Sequence, residues 1–210
     1  MTWDDLPEAL RHRWQPLRPL VDACLAQGMT VSVQRGDDVR VDGANPAIWS
    51  GPAFYFPPGR VLAMTEAIAA GRHAGYGTYR GDLHELGHAV WYLLLTPQER
   101  WQGYFPLWEA ARHAGRLLDA YSAERPEEGW AQDFEAWWTA TASAVPVDHA
   151  RSDLVRLDPQ RAAFVEGVMR RLGADAPPVG EGGGGVGDGG RGKGRAVVLG
   201  VGGGRGEVGG

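Results

Sequence analysis

Asp82-Leu83-His84-Glu85-Leu86-Gly87-His88-Ala89 decides how the rest of the chain reads. With Leu83, Leu86, Val90, Leu93 and Leu94 recurring at helical spacing, it predicts an amphipathic helix over 79–95. Two histidines four apart on one helix project from the same face about one turn apart, so both imidazoles reach one ion. Glu85, next to the first histidine, points toward the open side of that ion, where a carboxylate takes a proton from water. His84, Glu85 and His88 thus form the H-E-x-x-H zinc pattern in the helical setting it requires. Gly87, lacking a side chain, lets another element approach that helix closely.

A catalytic zinc takes three protein ligands and keeps one position open. A third histidine six residues after the second is excluded, because position 94 is Leu. Carboxylates follow in the segment from Tyr121 to Glu135. Pro126 fits the first turn of a helix, which puts Glu127 and Glu128 near its start and Asp133 and Glu135 further along. On residue types alone, the third ligand stays open among Glu127, Glu128, Asp133 and Glu135.

Tyr121, six residues, Glu128, two residues, Ala131, placed downstream of His-Glu-Leu-Gly-His, resembles the catalytic domain of the anthrax lethal factor family, which includes the bacterial Pro-Pro endopeptidases. The resemblance spans about residues 50–172 and is strongest over 82–91 and 121–134. It implies a zincin-like fold and one zinc ion per chain, held by His84, His88 and Glu128. It also implies Glu85 as general base and Tyr121 as a phenol facing the zinc that donates to the tetrahedral oxyanion. The activity implied is that of a gluzincin metalloendopeptidase on a protein or peptide substrate. Relatives usually carry an acid directly after the Ala, where this chain has Gln132, so the groups that orient the ligands from behind stay open. Two other classes fit the same residues: a zincin-like regulatory or metal-sensing protein, and a catalytically silent binding domain. No helix-turn-helix or basic module supports the first, and retention of all five site positions argues against the second.

Outward from this core, residues 4–27 read as helical, capped by Asp4 or Asp5 and split by Pro16 and Pro19. Met29–Arg35 and Val39–Val41 alternate around Gly36-Asp37-Asp38, a hairpin pattern. Ala53–Phe56 and Val61–Met64 flank Pro57-Pro58-Gly59-Arg60 as a second pair of short strands, although 61–70 also fits a helix. Thr96-Pro97 with Glu99 makes a capping box, and further helices are expected over 97–103, 106–121, 126–142 and 159–172, the last capped by Asp158. A small β layer followed by helices is the α+β pattern. An extended substrate would add as a strand beside that layer, on an edge the sequence does not single out.

Composition sets the outer limits. Of 32 glycines, 17 fall in the last 31 positions, so a body of residues 1–175 is expected to carry the metallopeptidase domain, and 176–210 a disordered Gly-rich tail. The net charge of −5 disfavours nucleic-acid partners, since phosphate binding needs clustered Lys and Arg. No apolar run is long enough for a membrane helix. The acidic start, Met1-Thr2-Trp3-Asp4-Asp5, shows no secretory signal pattern, which leaves a cytoplasmic location or export by a non-Sec route as the expectation. Cys24, the single cysteine, reads as a buried structural thiol, and the cluster Trp130, Trp137, Trp138 as core packing more than as a groove lining. The Gly-rich stretch 71–81 lacks the Gly-Lys-Ser/Thr ending of a phosphate loop. His12, His73, His113 and His149 read as surface residues.

Overall fold

Val61-Leu62-Ala63-Met64-Thr65 is apolar at nearly every position, as suits a strand covered on both faces. The computed structural model, which describes residues 1–71, 80–139 and 149–174, makes this run the centre of a mixed three-stranded sheet. Its strands are β1 (Thr30–Gln34), β2 (Ala53–Phe56) and β3 (Val61–Thr65), in the order β1-β3-β2. β2 and β3 form the expected hairpin across Pro57–Arg60, with Phe54 opposite Ala63 and Tyr55 opposite Leu62. Both readings of 61–70 hold in part. After β3, the Thr65 hydroxyl accepts the Ile68 N–H and caps the single helical turn α3 (Glu66–Ala69).

The first hairpin expectation fails. β1 lies parallel to β3, with Val31 opposite Leu62, and Val39–Val41 is not a strand. The Gln34 carboxamide takes the place of a partner strand: its Nε2 donates to the Arg40 carbonyl (2.7 Å) and its Oε1 accepts the Arg40 N–H (3.0 Å). Released from pairing, Val39 packs with Phe54, Phe56 and Ala63, and Val41 and Trp49 close over the same patch. This apolar cover on the outer sheet face is what alternation alone did not disclose.

The inner face, with Val31, Tyr55, Leu62 and Met64, joins the main core with the helices. The N-terminal helical segment divides at its prolines into α1 (Glu8–Trp14) and α2 (Arg18–Ala26). Asp5 does not cap α1. It accepts the Thr2 N–H and hydroxyl (2.7 and 2.9 Å) to close a preceding 3-10 turn. α4 (Gly81–Leu93) carries the histidines and ends before the reciprocal Thr96–Glu99 cap. A π-helical stretch, Glu99–Tyr104, runs into α5 (Phe105–His113). That helix is shorter than expected because Gly115, at φ +64°, turns the chain and the Arg116 N–H closes on the Ala111 carbonyl. α6 (Pro126–Trp138) starts where predicted but ends before Thr139, whose extended backbone stops the helix expected to run to 142; residues 140–142 lie outside the described set. The sequence reading missed α7 (Arg151–Leu157), started by the Asp153 carboxylate on the Ala150 N–H (3.0 Å). α8 (Pro159–Arg171) follows, with Asp158 capping as expected. Residues 176–210, the expected tail, and His73 with most of the 71–81 stretch also lie outside the described residues.

Cys24 is fully buried, and burial pushes its thiol up to about 12. Trp130, Trp137 and Trp138 are core residues. No helix among the described residues is long and apolar enough to cross a membrane.

α4 and α6 cross with their backbones close together at Gly87. A Cβ built on Gly87 would stand 2.9 Å from the Ala131 Cα and 3.3 Å from both the Ala131 carbonyl oxygen and the Phe134 Cβ. The Trp130 indole donates to the Gly87 carbonyl at 2.9 Å beside this contact. Gly87→Ala must therefore push two backbones apart, and overpacking of this kind costs about 1–3 kcal/mol. Urea unfolding should show a loss of that size and metal titration a weaker site; a neutral substitution would mean that the helices have slack there.

Candidate metal centre

α4 is buried from Gly81 to Trp91, so its histidines face protein on nearly all sides. Its start is pinned by Asp82, a fully buried carboxylate that accepts from the Arg13 Nη2 (2.7 Å) and the Trp14 Nε1 (3.0 Å) of α1. Two residues on, the His84 Nε2 stands 3.3 Å from the Glu128 Oε2, and the His88 Nε2 stands 3.0 Å from the same oxygen. Ligand atoms from these three residues lie within 4.8 Å of one another, so this buried His84, His88, Glu128 group could hold a metal ion. Among the described residues, no other cluster of three or more His, Cys, Asp or Glu side chains meets that description.

The other three carboxylates once open as third ligand lie elsewhere. Glu127 turns toward Arg125. Asp133 is buried in a separate network, accepting from the Tyr104 hydroxyl (2.7 Å) and the Arg161 Nη1 (2.8 Å). Glu135 reaches the back of His84, with its Oε2 3.6 Å from Nδ1. Gln132 is buried and its Nε2 has no hydrogen-bond partner.

Glu85 sits at the cleft floor, where its Oε2 accepts the Tyr55 N–H at 2.7 Å. In the antiparallel register, Tyr55 and Ala53 occupy the pairs whose backbone groups point away from β3, so this bond marks the outer edge of β2 as the edge that overlooks the site. Tyr121, in the 3-10 turn Tyr121–Ala123, faces the same cleft with its ring centroid 5.9 Å from that of His84. Ile48 and Tyr92 form exposed apolar walls, 71% and 38% accessible, and Tyr92 stacks on Tyr55.

The electrostatics follow from this crowding. Burial opposes charge on His84, yet the hydrogen bond with Glu128 and the nearby Glu135 carboxylate raise it to about 10. Burial likewise acts to raise Glu128, but the two histidines hold it well below the ordinary carboxylate range. Burial and the nearby Glu128 and Glu85 charges raise the Tyr121 phenol, which keeps it a proton donor at neutral pH.

The sequence reading did not foresee Asp82 or Glu135 in these places. An acid at the first turn of a helix ordinarily caps it in solvent, and only the distant partners Arg13 and Trp14 give Asp82 its role. His149 is not a free surface residue either: its Nε2 lies 3.5 Å from the Asp119 Oδ2, while the Asp119 Oδ1 accepts the Ser122 N–H of the Tyr121 turn (2.7 Å). His12 and His113 are exposed, as expected.

Comparison of the chain with protein families, with curated proteins and with solved structures finds no match.

Two predictions follow from this geometry. Glu128→Gln should lose bound metal by elemental analysis, while Glu127→Gln retains it; the reverse would move the ligand. The His149–Asp119 pair should make stability depend on pH. The Asp119 carboxylate beside it raises His149, so its contribution is complete below its unfolded pKa of about 6.5 and fades as pH rises through the folded value. Asp119, which burial acts to raise but His149 and Ser122 lower, contributes above its unfolded pKa near ~3.9 and fades as pH falls through its folded value. The stability difference between native protein and His149→Gln should therefore peak between about pH 4 and 6.5 and shrink toward pH 9; a flat difference in denaturant titrations would show that the pair contributes nothing.

Proposed function

We propose that this chain is a zinc-dependent endopeptidase of the gluzincin type, with a zincin-like fold akin to the lethal factor catalytic domain. The observation that carries the reading is the convergence of the His84, His88 and Glu128 ligand atoms beside Glu85, at the floor of a cleft bounded by an open strand edge.

The donor set suits zinc. Two imidazoles and one carboxylate are ordinary zinc ligands, and bonds of ~2.0–2.1 Å at tetrahedral angles place ligand atoms about 3.3–3.4 Å apart. The separations of 3.0 and 3.3 Å to the Glu128 oxygen are close to that spacing. When bound, zinc supplies Lewis acidity, which lowers the pKa of water and polarises a carbonyl.

The residues of the chain do the rest. Glu85 takes the proton of the attacking water and passes it to the amine that leaves as the C–N bond breaks. Its bond to the Tyr55 N–H fixes the carboxylate at the strand edge, between the cleft and the substrate path. Tyr121, kept protonated by its raised pKa, donates to the oxyanion as negative charge grows on the former carbonyl oxygen. The outward backbone groups of Ala53 and the outward Tyr55 carbonyl give an extended peptide a strand edge to add to, the Tyr55 N–H being held by Glu85, and Ile48 and Tyr92 offer it apolar walls.

The test is zinc content together with cleavage of a peptide library by the full chain. Glu85→Gln should keep zinc and lose about 10²–10⁴-fold in turnover. Tyr121→Phe should lower kcat about 10²–10³-fold with little change in KM. Hydrolysis that survives Glu85→Gln would reject the assigned base, and a native protein that holds no zinc would reject the reading as a whole.

A further inference from the structure

The geometry points to Glu135 as the positioning residue that fixes the ring and tautomer of His84, a role that rests on the metal-centre reading above but has its own readout in the metal-free protein. Each histidine must present Nε2 to the shared site, because Nε2 is the atom of both rings that approaches the Glu128 Oε2. For the His84 Nε2 to offer a lone pair, its proton must reside on Nδ1, and a buried N–H there needs an acceptor. The His84 Nδ1 is buried with no hydrogen-bond partner in place, and the Glu135 Oε2 stands 3.6 Å away. Closure by about 0.5 Å brings the pair into hydrogen-bond range. Both side chains are almost fully buried, at 2% and 1% exposure, so the contact is little weakened by solvent.

The backbone explains why position 135 is able to do this. Glu128 and Glu135 are seven residues apart, two turns along one face of α6, and Ala131, where α6 meets Gly87, lies between them. Residues before and after the crossing thus reach opposite sides of the same imidazole, Nε2 from Glu128 and Nδ1 from Glu135. Gln132, equally buried on the same helix, makes no hydrogen bond to His84. A carboxylate on the far nitrogen holds the ring in plane for a metal and raises its basicity, and loss of such a partner typically weakens metal binding about 10–100-fold.

The experiment compares the full-length native protein with Glu135→Gln, Glu135→Asp and Gln132→Met. Zinc affinity is read by chelator competition, the ligand field by the visible spectrum of the cobalt-substituted protein, and the His84 Nδ1 proton by NMR of the metal-free, ring-labelled protein. Glu135→Gln should weaken zinc about 10–100-fold, alter the cobalt spectrum and speed exchange of the Nδ1 proton. Glu135→Asp, which keeps the charge, should recover part of each, and Gln132→Met should stay within about threefold of native, as expected for a side chain off the metal's path. Thermal unfolding of each variant separates loss of fold from loss of position. If native protein and Glu135→Gln bind zinc equally and show the same Nδ1 exchange, the positioning role is overturned while the metal centre stands. If the native protein binds no metal but Nδ1 exchange still depends on Glu135, the metal reading fails and the contact with His84 survives.

Discussion

Everything in the site depends on how closely α4 and α6 cross. With the Ala131 Cα 2.9 Å from where a Gly87 Cβ would stand, the two backbones touch, and any residue but glycine would hold them apart. The chemistry brackets that point on both helices. On α4, His84 lies one turn before Gly87 and His88 immediately after it; on α6, Glu128 lies one turn before Ala131 and Glu135 one turn beyond. Separation of the helices by even an ångström would pull the Glu128 oxygen out of reach of one or both imidazoles, since neither side chain type has length to spare at 3.0–3.3 Å.

Much of the remaining polar core reads as bracing for that crossing. Asp133, two residues past Ala131, ties α6 to Tyr104 and to Arg161 of α8. The same guanidinium donates to the Arg116 carbonyl, fastening the segment that leads to the Tyr121 turn. At the other end, Asp82 fixes the start of α4 to α1 through Arg13 and Trp14. Buried ion pairs of this kind add little net stability over apolar packing, but removing one partner strands a charge, so they enforce one arrangement. The sheet contributes differently. β3 supplies apolar surface to both sides, whereas β2 brings an open edge, through the Tyr55 N–H, onto Glu85.

How far the sequence discloses this differs with the range of the interaction. Short-range signals held: the histidine spacing, the Thr96–Glu99 cap, Pro126 at the start of α6, Asp158 before α8, and the Pro-Pro-Gly turn between β2 and β3. The glycine in the zinc pattern also held as a point of close approach. What escaped depends on partners far along the chain. Val39–Val41 alternates like a strand but is held by a glutamine side chain and covers the sheet, which no periodicity encodes. Four carboxylates near the start and middle of α6 looked equivalent by residue type. Only their distant partners separate them: Glu128 meets the two Nε2 atoms, Glu135 the back of His84 and Asp133 the Arg161 guanidinium. The helix expected over 106–121 stops short at Gly115, whose positive φ turns the chain.

The concentration of charge at this crossing carries an energetic consequence. Glu85, Glu128 and Glu135 are all buried around two imidazoles, and burying like charges together is costly unless a cation neutralises them. In the metal-free chain a proton serves that need, which is why His84 rises to about 10 despite a burial that by itself opposes its charge. The charged ring carries an N–H on each nitrogen, with Nε2 toward Glu128 and Nδ1 toward Glu135, so it lies oriented between its two carboxylates. His84, His88 and Glu128 would hold a divalent cation in place of the proton on the His84 Nε2, with the Nδ1 proton retained toward Glu135. A cation held by these side chains would link metal affinity to fold stability, because it would remove the repulsion that the close crossing of α4 and α6 creates.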